Sequence, residues 1–426
     1  MAPNVFLILL IVIPLIILVD VYTFKGLKIL LKRISNVTLR NTLKVIYWVW
    51  SISVEILTIS LFFRFSDVVN YTQTSKSYFI PFTVIAILII NLLPKLCFIF
   101  FHLLEDMAWL GFRKVKKITA KKNETSGEVI DRFTFISRVG LAIAGIQLGW
   151  LLYGVTKGRF NFKVVKETLE FDNLPSSFDG LRIVQISDIH IGSFYDNYDD
   201  VAEGIDLVNS LNADIIFLTG DLINNYAWEL NGWEDILKRL KAKMGVYSIL
   251  GNHDYGDYAT WKTQEEKTKN LVELERRQQR MGFRLLKNQM VNLQKDNEHI
   301  ELIGVENWGK SSFANYGNLS QAMQNSSDDT FKILLSHDPT HWESEVKDKT
   351  NIDLTFSGHT HGMQFGVEIP GIKWSPAKYL YKYWAGLYKE NNQFLYVNRG
   401  FGYTMFPGRV GINPEITIVT LCKREP

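Results

Sequence analysis

Four long apolar runs in the first 155 residues constrain this chain more than any other feature. They extend from Asn4 to Phe24, Val45 to Phe63, Tyr78 to Leu104 and Phe135 to Val155. A helical bilayer span needs about 20 such residues. One run alone reads equally as a buried core helix, but four in succession with little between them define a membrane domain. The first is not a cleavable leader, because no positive charge precedes it and no small-residue cleavage site follows.

The connecting loops set an expected orientation. Lys25, Lys28, Lys32, Arg33, Arg40 and Lys44 lie between runs one and two, with no acid among them. Arg113, Lys114, Lys116, Lys117, Lys121, Lys122 and Arg132 lie between runs three and four, whereas the second loop offers only Arg64 and Lys76. The positive-inside rule puts the first and third loops in the cytoplasm and both termini outside. Glu55 and Lys95 fall within runs two and three. Charges in lipid pair or line a cavity, and a helix-locking Glu55–Lys95 pair is the simpler expectation.

From about Gly158 the pattern changes, which divides the chain into a membrane domain, 1–157, and a second domain, 158–426. LRIVQIS (181–187), DIIFLTG (214–220), GVYSILG (245–251), FKILLSH (331–337) and IDLTFSG (352–358) read as strands buried on both faces. Further strands are expected at 163–171, 290–295, 299–305, 394–398 and 415–421. VAEGIDLVNSL, WEDILKRLKAK and EEKTKNLVELERRQQR have helical spacing. Alternation of the two predicts a layered α/β domain.

Each of the five strands ends on a polar cluster: SDIH, TGD, LGNHD, SHD and SGHTH. Ligands bind beyond the carboxyl ends of strands in such sheets. Five of the eight histidines, at 190, 253, 337, 359 and 361, sit in these clusters. His359 and His361, two positions apart, would share one face of an extended strand. Carboxylate, amide and imidazole in this pattern suit Mn, Fe or Zn with open coordination positions. Two such ions roughly 3.5–4 Å apart clamp the oxygens of a displacement at phosphorus and make bound water nucleophilic. The two cysteines, Cys97 and Cys422, form no CxxC site and no disulfide framework. A net charge of +3 carries no nucleic-acid signature, so no nucleic-acid partner is expected.

The order DxH, GD, GNHD, H, GHTH resembles the calcineurin-like metallophosphoesterase superfamily. The closing YVNRGFGYTMFPGRVGINPEITIVTL is similar to its membrane-associated or exported bacterial subgroup, so the resemblance covers residues 160–426. It implies a four-layer sandwich of two mixed β-sheets flanked by helices, and two divalent metal ions. Asp188, His190, Asp221 and His361 would hold one ion, and Asp221, Asn252, His337 and His359 the other. Asp221 would bridge. His253 would bind no metal but would protonate the leaving oxygen, with Asp254 fixing its ring or capping the loop.

Protein phosphatases of the superfamily carry GDxxDRG where this chain has GDLINNY, which disfavours a phosphoprotein substrate. Met363 stands where GHTHGGQ would place glycine. The insert IKWSPAKYLYKYWAGLYK (372–389) crowds aromatics among lysines, which suits either a membrane headgroup zone or a core-packed insert. Arg399 and Arg409 are candidate contacts for phosphate or anionic lipid, or solvated charges. RFTFIS (132–137) faintly resembles a twin-arginine export signal, with Phe133 in place of the second arginine.

Together these readings describe a membrane-anchored phosphoesterase of the bacterial inner or plasma membrane with an extracytoplasmic catalytic domain. Its expected partners are membrane lipids and a lipid- or envelope-linked phosphodiester or pyrophosphate, hydrolysed by metal-bound hydroxide. A cytoplasmic hydrolase of UDP-2,3-diacylglucosamine in lipid A synthesis and a non-catalytic scaffold or receptor with a structural metal are the alternatives.

Overall fold

The computed structural model describes residues 3–72, 77–119, 126–309 and 315–424. Side chains of 3–12, 61–72, 112–119 and 126–134 lie outside the described residues. They include the start of the first apolar run, the basic third loop and the RFT of RFTFIS. The chain divides into two compact units, Met1–Phe65 with Thr83–Tyr153, and Ser66–Phe82 with Gly154–Pro426. The second unit therefore takes in 66–82 as well as the residues from 154 onward.

Four helices occupy the four apolar runs: α1 (Pro3–Leu31), α2 (Val37–Thr72), α3 (Phe79–Thr119) and α4 (Ser126–Thr156). Among the described residues three stretches are long and apolar enough to cross a bilayer, Val37–Ser60, Phe79–Gly111 and Phe135–Thr156. The expected Glu55–Lys95 pair takes a different form. Lys95 donates to Asp20, an acid on α1 that hydropathy concealed, and at 2.9 Å to Ser51 Oγ. Glu55 joins this cluster through Asp20. An ammonium buried in lipid needs the closest carboxylate, and helix phase gives that place to Asp20.

Among the described residues the second unit contains fourteen strands. They are β1 (Lys163–Phe171), β2 (Leu181–Ile186), β3 (Ile215–Thr219), β4 (Val246–Ile249), β5 (Phe283–Leu285), β6 (Gln289–Lys295) and β7 (Glu298–Gly304). Then come β8 (Lys332–Leu335), β9 (Leu354–Ser357), β10 (Val367–Ile369), β11 (Ile372–Trp374), β12 (Gly386–Glu390), β13 (Gln393–Val397) and β14 (Glu415–Lys423). One six-stranded sheet runs β1-β14-β2-β3-β4-β5 and the other β12-β13-β9-β8-β7-β6; β10 and β11 form a separate hairpin. Both large sheets are mixed, since β14 pairs antiparallel to β2 and β6 antiparallel to β7 among otherwise mostly parallel neighbours.

Alternation along β2 shows how the layers form. Leu181 and Ile183 join the core between the sheets with Phe217, Ile333 and Phe356. Val184 and Ile186 face the other way, into the layer built with α5 (Tyr198–Ser210). Two short helices, α6 (Glu234–Leu237) and α8 (Leu319–Ala322), and a longer α7 (Gln264–Arg280) are the other α-helices among the described residues. Leu319 and Trp342 cover the outer face of the second sheet, which gives four layers. Each fully buried Leu, Ile or Phe contributes about 1.5–3 kcal/mol.

The WEDILKRLKAK segment is helical only over Glu234–Leu237. Beyond it Asn209 of α5 donates to Arg239 O and accepts from Lys241 N, so its amide replaces the next helical turn. Gln185 matters most for the site. From β2 its amide donates 2.8 Å to Thr219 Oγ1 and 2.9 Å across to Ser357 O of β9, tying the two sheets beneath the converging strand ends.

Candidate metal centre

Asp188 follows β2, Asp221 follows β3, Asn252 and His253 follow β4, His337 follows β8, and His359 and His361 follow β9. Parallel strands present their carboxyl ends together, so residues far apart in sequence meet at one edge. Two residue sets result. In the first, His361 Nε2 lies 3.2 Å from Asp188 Oδ1 and 3.1 Å from His190 Nε2. In the second, His337 Nε2 lies 3.1 Å from Asn252 Oδ1, and His359 Nδ1 lies 2.8 Å from the same oxygen. Asp221 Oδ2 faces both, 3.5 Å from His190 Nε2 and 3.2 Å from His337 Nε2. Its other oxygen accepts from His253 N at 2.9 Å.

All seven residues assigned to metal from the sequence therefore stand in one cluster. Their ring nitrogens and carboxylate oxygens lie close enough together to hold a metal ion. The potential ligand atoms in each of three groups, Asp188–His190–His361, His190–Asp221–His253 and Asp221–His337–His359, lie within 4.8 Å of one another. His190 Nδ1 is buried without a hydrogen-bond partner. This donor set fits divalent first-row metals.

His359 and His361 do not share a strand face. Extended backbone ends at Ser357, and both residues take left-handed backbone, φ 71° and 50°. The reversal sends His359 to the second set and His361 to the first. Asp188 (φ 52°), His190 (φ 48°) and Asp221 (φ 54°) are also left-handed. Each costs an L-residue roughly 1–2 kcal/mol, and such strain concentrates at functional sites.

Glycines make room for this backbone. A Cβ on Gly358 would come 2.0 Å from Ser187 Oγ and 2.3 Å from Asp188 Oδ2, and one on Gly251 2.2 Å from Asp221 Oδ1. Hydrogen bonds behind the cluster orient the rings. His337 Nδ1 meets Thr219 O at 2.7 Å, leaving Nε2 for the centre, the usual support for a metal-binding histidine. His253 Nδ1 meets Asn224 O at 2.8 Å.

Asp254 caps the loop rather than fixing the His253 ring. Its carboxylate accepts from the backbone N–H groups of Asp221, Leu222, Ile223 and Gly251. Burial, then the Asp221 charge, pushes its pKa up to about 7 against those donors. Burial also works against Asp221, but the neighbouring His337, His253 and His190 hold it well below the usual carboxylate range. His337 is raised to about 10, since the Asp221 charge outweighs burial. Burial lowers His253 to about 4 and holds His359 and His361 below the ordinary imidazole value. His359 and His361 are thus held neutral, the form of imidazole that binds cations, whereas the Asp221 carboxylate raises His190 as well as His337.

Several contacts were hidden in the sequence. Tyr381 OH lies 3.0 Å from His359 Nε2, and Asn252 Nδ2 donates to Tyr258 OH at 2.9 Å. Glu229 accepts from Asn224, Asn225 and Tyr226 N–H, shaping the loop after Asp221. Arg399 and Arg409 are buried, not solvated. Arg399 pairs with Glu415 and Glu368, while Arg409 donates to the carbonyls of His361, Arg399, Gly400 and Gly402 and lies 3.2 Å from His361 Nδ1. Both guanidiniums organise the turn behind the cluster. Met363 is left-handed (φ 48°) and partly exposed, a conformation that glycine adopts without strain. In the aromatic insert, Tyr383 and Trp384 are buried while Tyr379 is exposed.

A mixed-sheet sandwich with this strand-end cluster defines a calcineurin-like metallophosphoesterase. Residues 181–363 match the family described as calcineurin-like phosphoesterase, and residues 4–159 match a family described as probable calcineurin-like phosphoesterase, transmembrane domain. The chain belongs to the calcineurin-like phosphoesterase family and is a membrane protein. The uncharacterized metallophosphoesterase YkuE of Bacillus subtilis is 32% identical over 61% of this chain and 85% of its own length. A transmembrane protein with metallophosphoesterase domain from Danio rerio is 28% identical over 63% of this chain, which spans only 60% of that relative. A solved structure, TT1561 of Thermus thermophilus, aligns over 52% of this chain and 90% of its own, at 12% identity and a TM-score of 0.32.

Proposed function

We propose that the chain hydrolyses a phosphodiester or a pyrophosphate, borne by a lipid or an envelope component, with two divalent cations of the Mn, Fe or Zn class. The observation that carries this reading is Asp221 Oδ2, one carboxylate oxygen that faces His190 on one side and His337 on the other. Asp188, His190 and His361 would complete one ion's ligands, and Asn252, His337 and His359 the other's. When bound, the cations supply Lewis acidity, which makes water nucleophilic near neutral pH and neutralises charge on the phosphoryl group.

The chain's own residues supply orientation and a proton. His253 is held through Nδ1 by Asn224 O, so Nε2 is the nitrogen left for the leaving oxygen. Burial lowers its pKa to about 4; an arriving phosphoryl anion would favour the charged ring, which would take a proton from solvent on Nε2 and pass it to the leaving oxygen. Asp254 ties the loop that carries Asp221 to the loop that carries His253. The loop charges support an extracytoplasmic catalytic domain, which favours envelope phosphoesters over a cytoplasmic nucleotide lipid.

The test uses the purified full chain with bis(4-nitrophenyl) phosphate and Mn, Fe, Zn or Mg. Chelator-sensitive, cation-restored turnover supports the reading. Stoichiometric cation binding without turnover on any phosphoester would leave a structural site instead.

A further inference from the structure

The β10–β11 hairpin has one apolar and one charged face. Its register pairs Val367 with Trp374, Glu368 with Lys373 and Ile369 with Ile372. Strand alternation puts Val367, Ile369, Ile372 and Trp374 on one face and the two charges on the other. In a water-facing hairpin the charged face turns outward. Here Glu368 turns to Arg399 and Lys373 donates 2.9 Å to Ala385 O, both within the domain. Glu368 and Lys373 remain exposed despite these contacts, and the apolar face is open as well, with Ile369 and Ile372 each 54% exposed.

The turn that follows extends this surface. Tyr379 and Leu380 are 71% and 70% exposed, and Trp374 Nε1 lies 3.4 Å from Tyr379 OH. The exposed Lys378 places its ammonium over the Tyr379 ring. Soluble domains seldom show a contiguous apolar surface of this kind without a partner.

The root of the hairpin indicates which partner. Gly366 N donates to Val410 O at 2.9 Å, and the adjoining Arg409 N donates to Gly154 O at 3.1 Å. Gly154 lies two residues before Thr156, where the last apolar helix ends, and it belongs to the same compact unit as the hairpin. The root of the hairpin is thus joined through Arg409 and Val410 to the end of the last apolar helix.

We propose that residues 366–380 dock into the headgroup–acyl boundary of the bilayer that holds the chain's own helices. Ile369, Ile372 and Leu380 would enter the apolar side, Trp374 and Tyr379 would sit at headgroup level, and Lys378 would meet anionic lipid. Tyr381 follows directly, and its hydroxyl rests on His359. The element at the lipid surface is therefore continuous with the centre. Building on the phosphoesterase reading, this assigns the substrate to a class: a phosphoester carried on a membrane lipid and met at the interface.

Two measurements on the full chain in phosphatidylcholine–phosphatidylglycerol vesicles test the proposal. The first is tryptophan quenching by phosphatidylcholine brominated near the headgroup, comparing wild type with Trp374→Phe. Docking predicts a smaller quenched fraction in the variant; an identical fraction overturns it and leaves a protein partner or solvent as the occupant. This readout is independent of any activity.

The second compares Ile369→Glu/Ile372→Glu with wild type on two substrates. Turnover of a phospholipid phosphodiester in the vesicles should fall by at least ~10-fold, from the lost apolar insertion, while soluble bis(4-nitrophenyl) phosphate is hydrolysed as before. Equal loss on both substrates would make the hairpin a support of the fold and overturn the docking role. Absence of turnover on either substrate by wild type would sink the phosphoesterase reading, yet quenching would still decide docking.

Discussion

At the scale of residues, the centre depends on a few atoms with two tasks each. Asp221 offers one oxygen to both ligand sets and the other to the His253 backbone. Asp221→Asn keeps the shape but removes the shared charge. Cation-dependent turnover should drop by more than ~100-fold, as for loss of a main electrostatic stabiliser, with an unchanged circular dichroism spectrum. Near-normal rates would remove the bridging role. His253→Gln tests the acid separately. An alkyl phosphodiester, whose leaving oxygen needs a proton, should lose about 10²–10⁴-fold. A nitrophenyl ester should lose far less, and equal losses would rule out proton donation. His190, Asn252 and the histidine pair of GHTH were legible because their residue types are costly anywhere else in a buried cluster. Tyr381 and Tyr258 were not legible, because tyrosine is a common core residue and only the folded insert brings them to the ligands.

At the scale of elements, the buried strands were legible from their apolar runs, and their polar endings from the motif that closes each one. β5, β10, β11 and β12 were missed because three to five residues with one exposed face carry little pattern. The turn after β9 shows why two-residue spacing misled: Gly358 ends the extended backbone, so alternation no longer applies. Gly358→Ala tests that turn. The added methyl would collide with Ser187 Oγ and Asp188 Oδ2. A loss of about 1–3 kcal/mol, typical of overpacking, is expected in denaturant titration, together with weaker cation binding. Arg399 governs the neighbouring strand. Burial would raise the Glu415 pKa, but the Arg399 charge and the Tyr396 and Thr417 hydroxyls outweigh it and hold it below the ordinary carboxylate value. A depressed pKa contributes stability above the unfolded value that is lost as pH falls through the folded one. Arg399→Met should cost about 3–5 kcal/mol at pH 7 by leaving a buried charge unpaired. Acidification toward pH 5 should then stabilise the variant, whereas the wild-type Glu415 contribution stays intact at pH 5 and is lost only below the ordinary carboxylate range. Unfolding midpoints at both pH values decide it.

At the scale of the whole molecule, the apolar helices and the mixed-sheet fold are distinguishable in the sequence because hydropathy changes abruptly near Gly158. The buried Asp20–Lys95–Ser51 cluster is not, since one acid within a largely apolar run does not alter the character of that run. Lys95→Leu leaves Asp20 unpaired in the helical unit and should lower the yield of folded protein in detergent; a yield equal to wild type would make the pair dispensable. Loop charge predicts the side of the membrane. A reporter fused after Pro426 should be active only outside the cytoplasm, and cytoplasmic activity would bring the UDP-diacylglucosamine reading forward. The central claim is that the strand-end cluster is a catalytic centre for two cations. It is tested most directly by titrating chelator-stripped full-length protein with Mn while measuring bound metal and phosphodiester turnover together. Turnover should rise as the second equivalent binds and be absent in Asp221→Asn. Saturation at one equivalent, or two bound equivalents with no turnover, would contradict it.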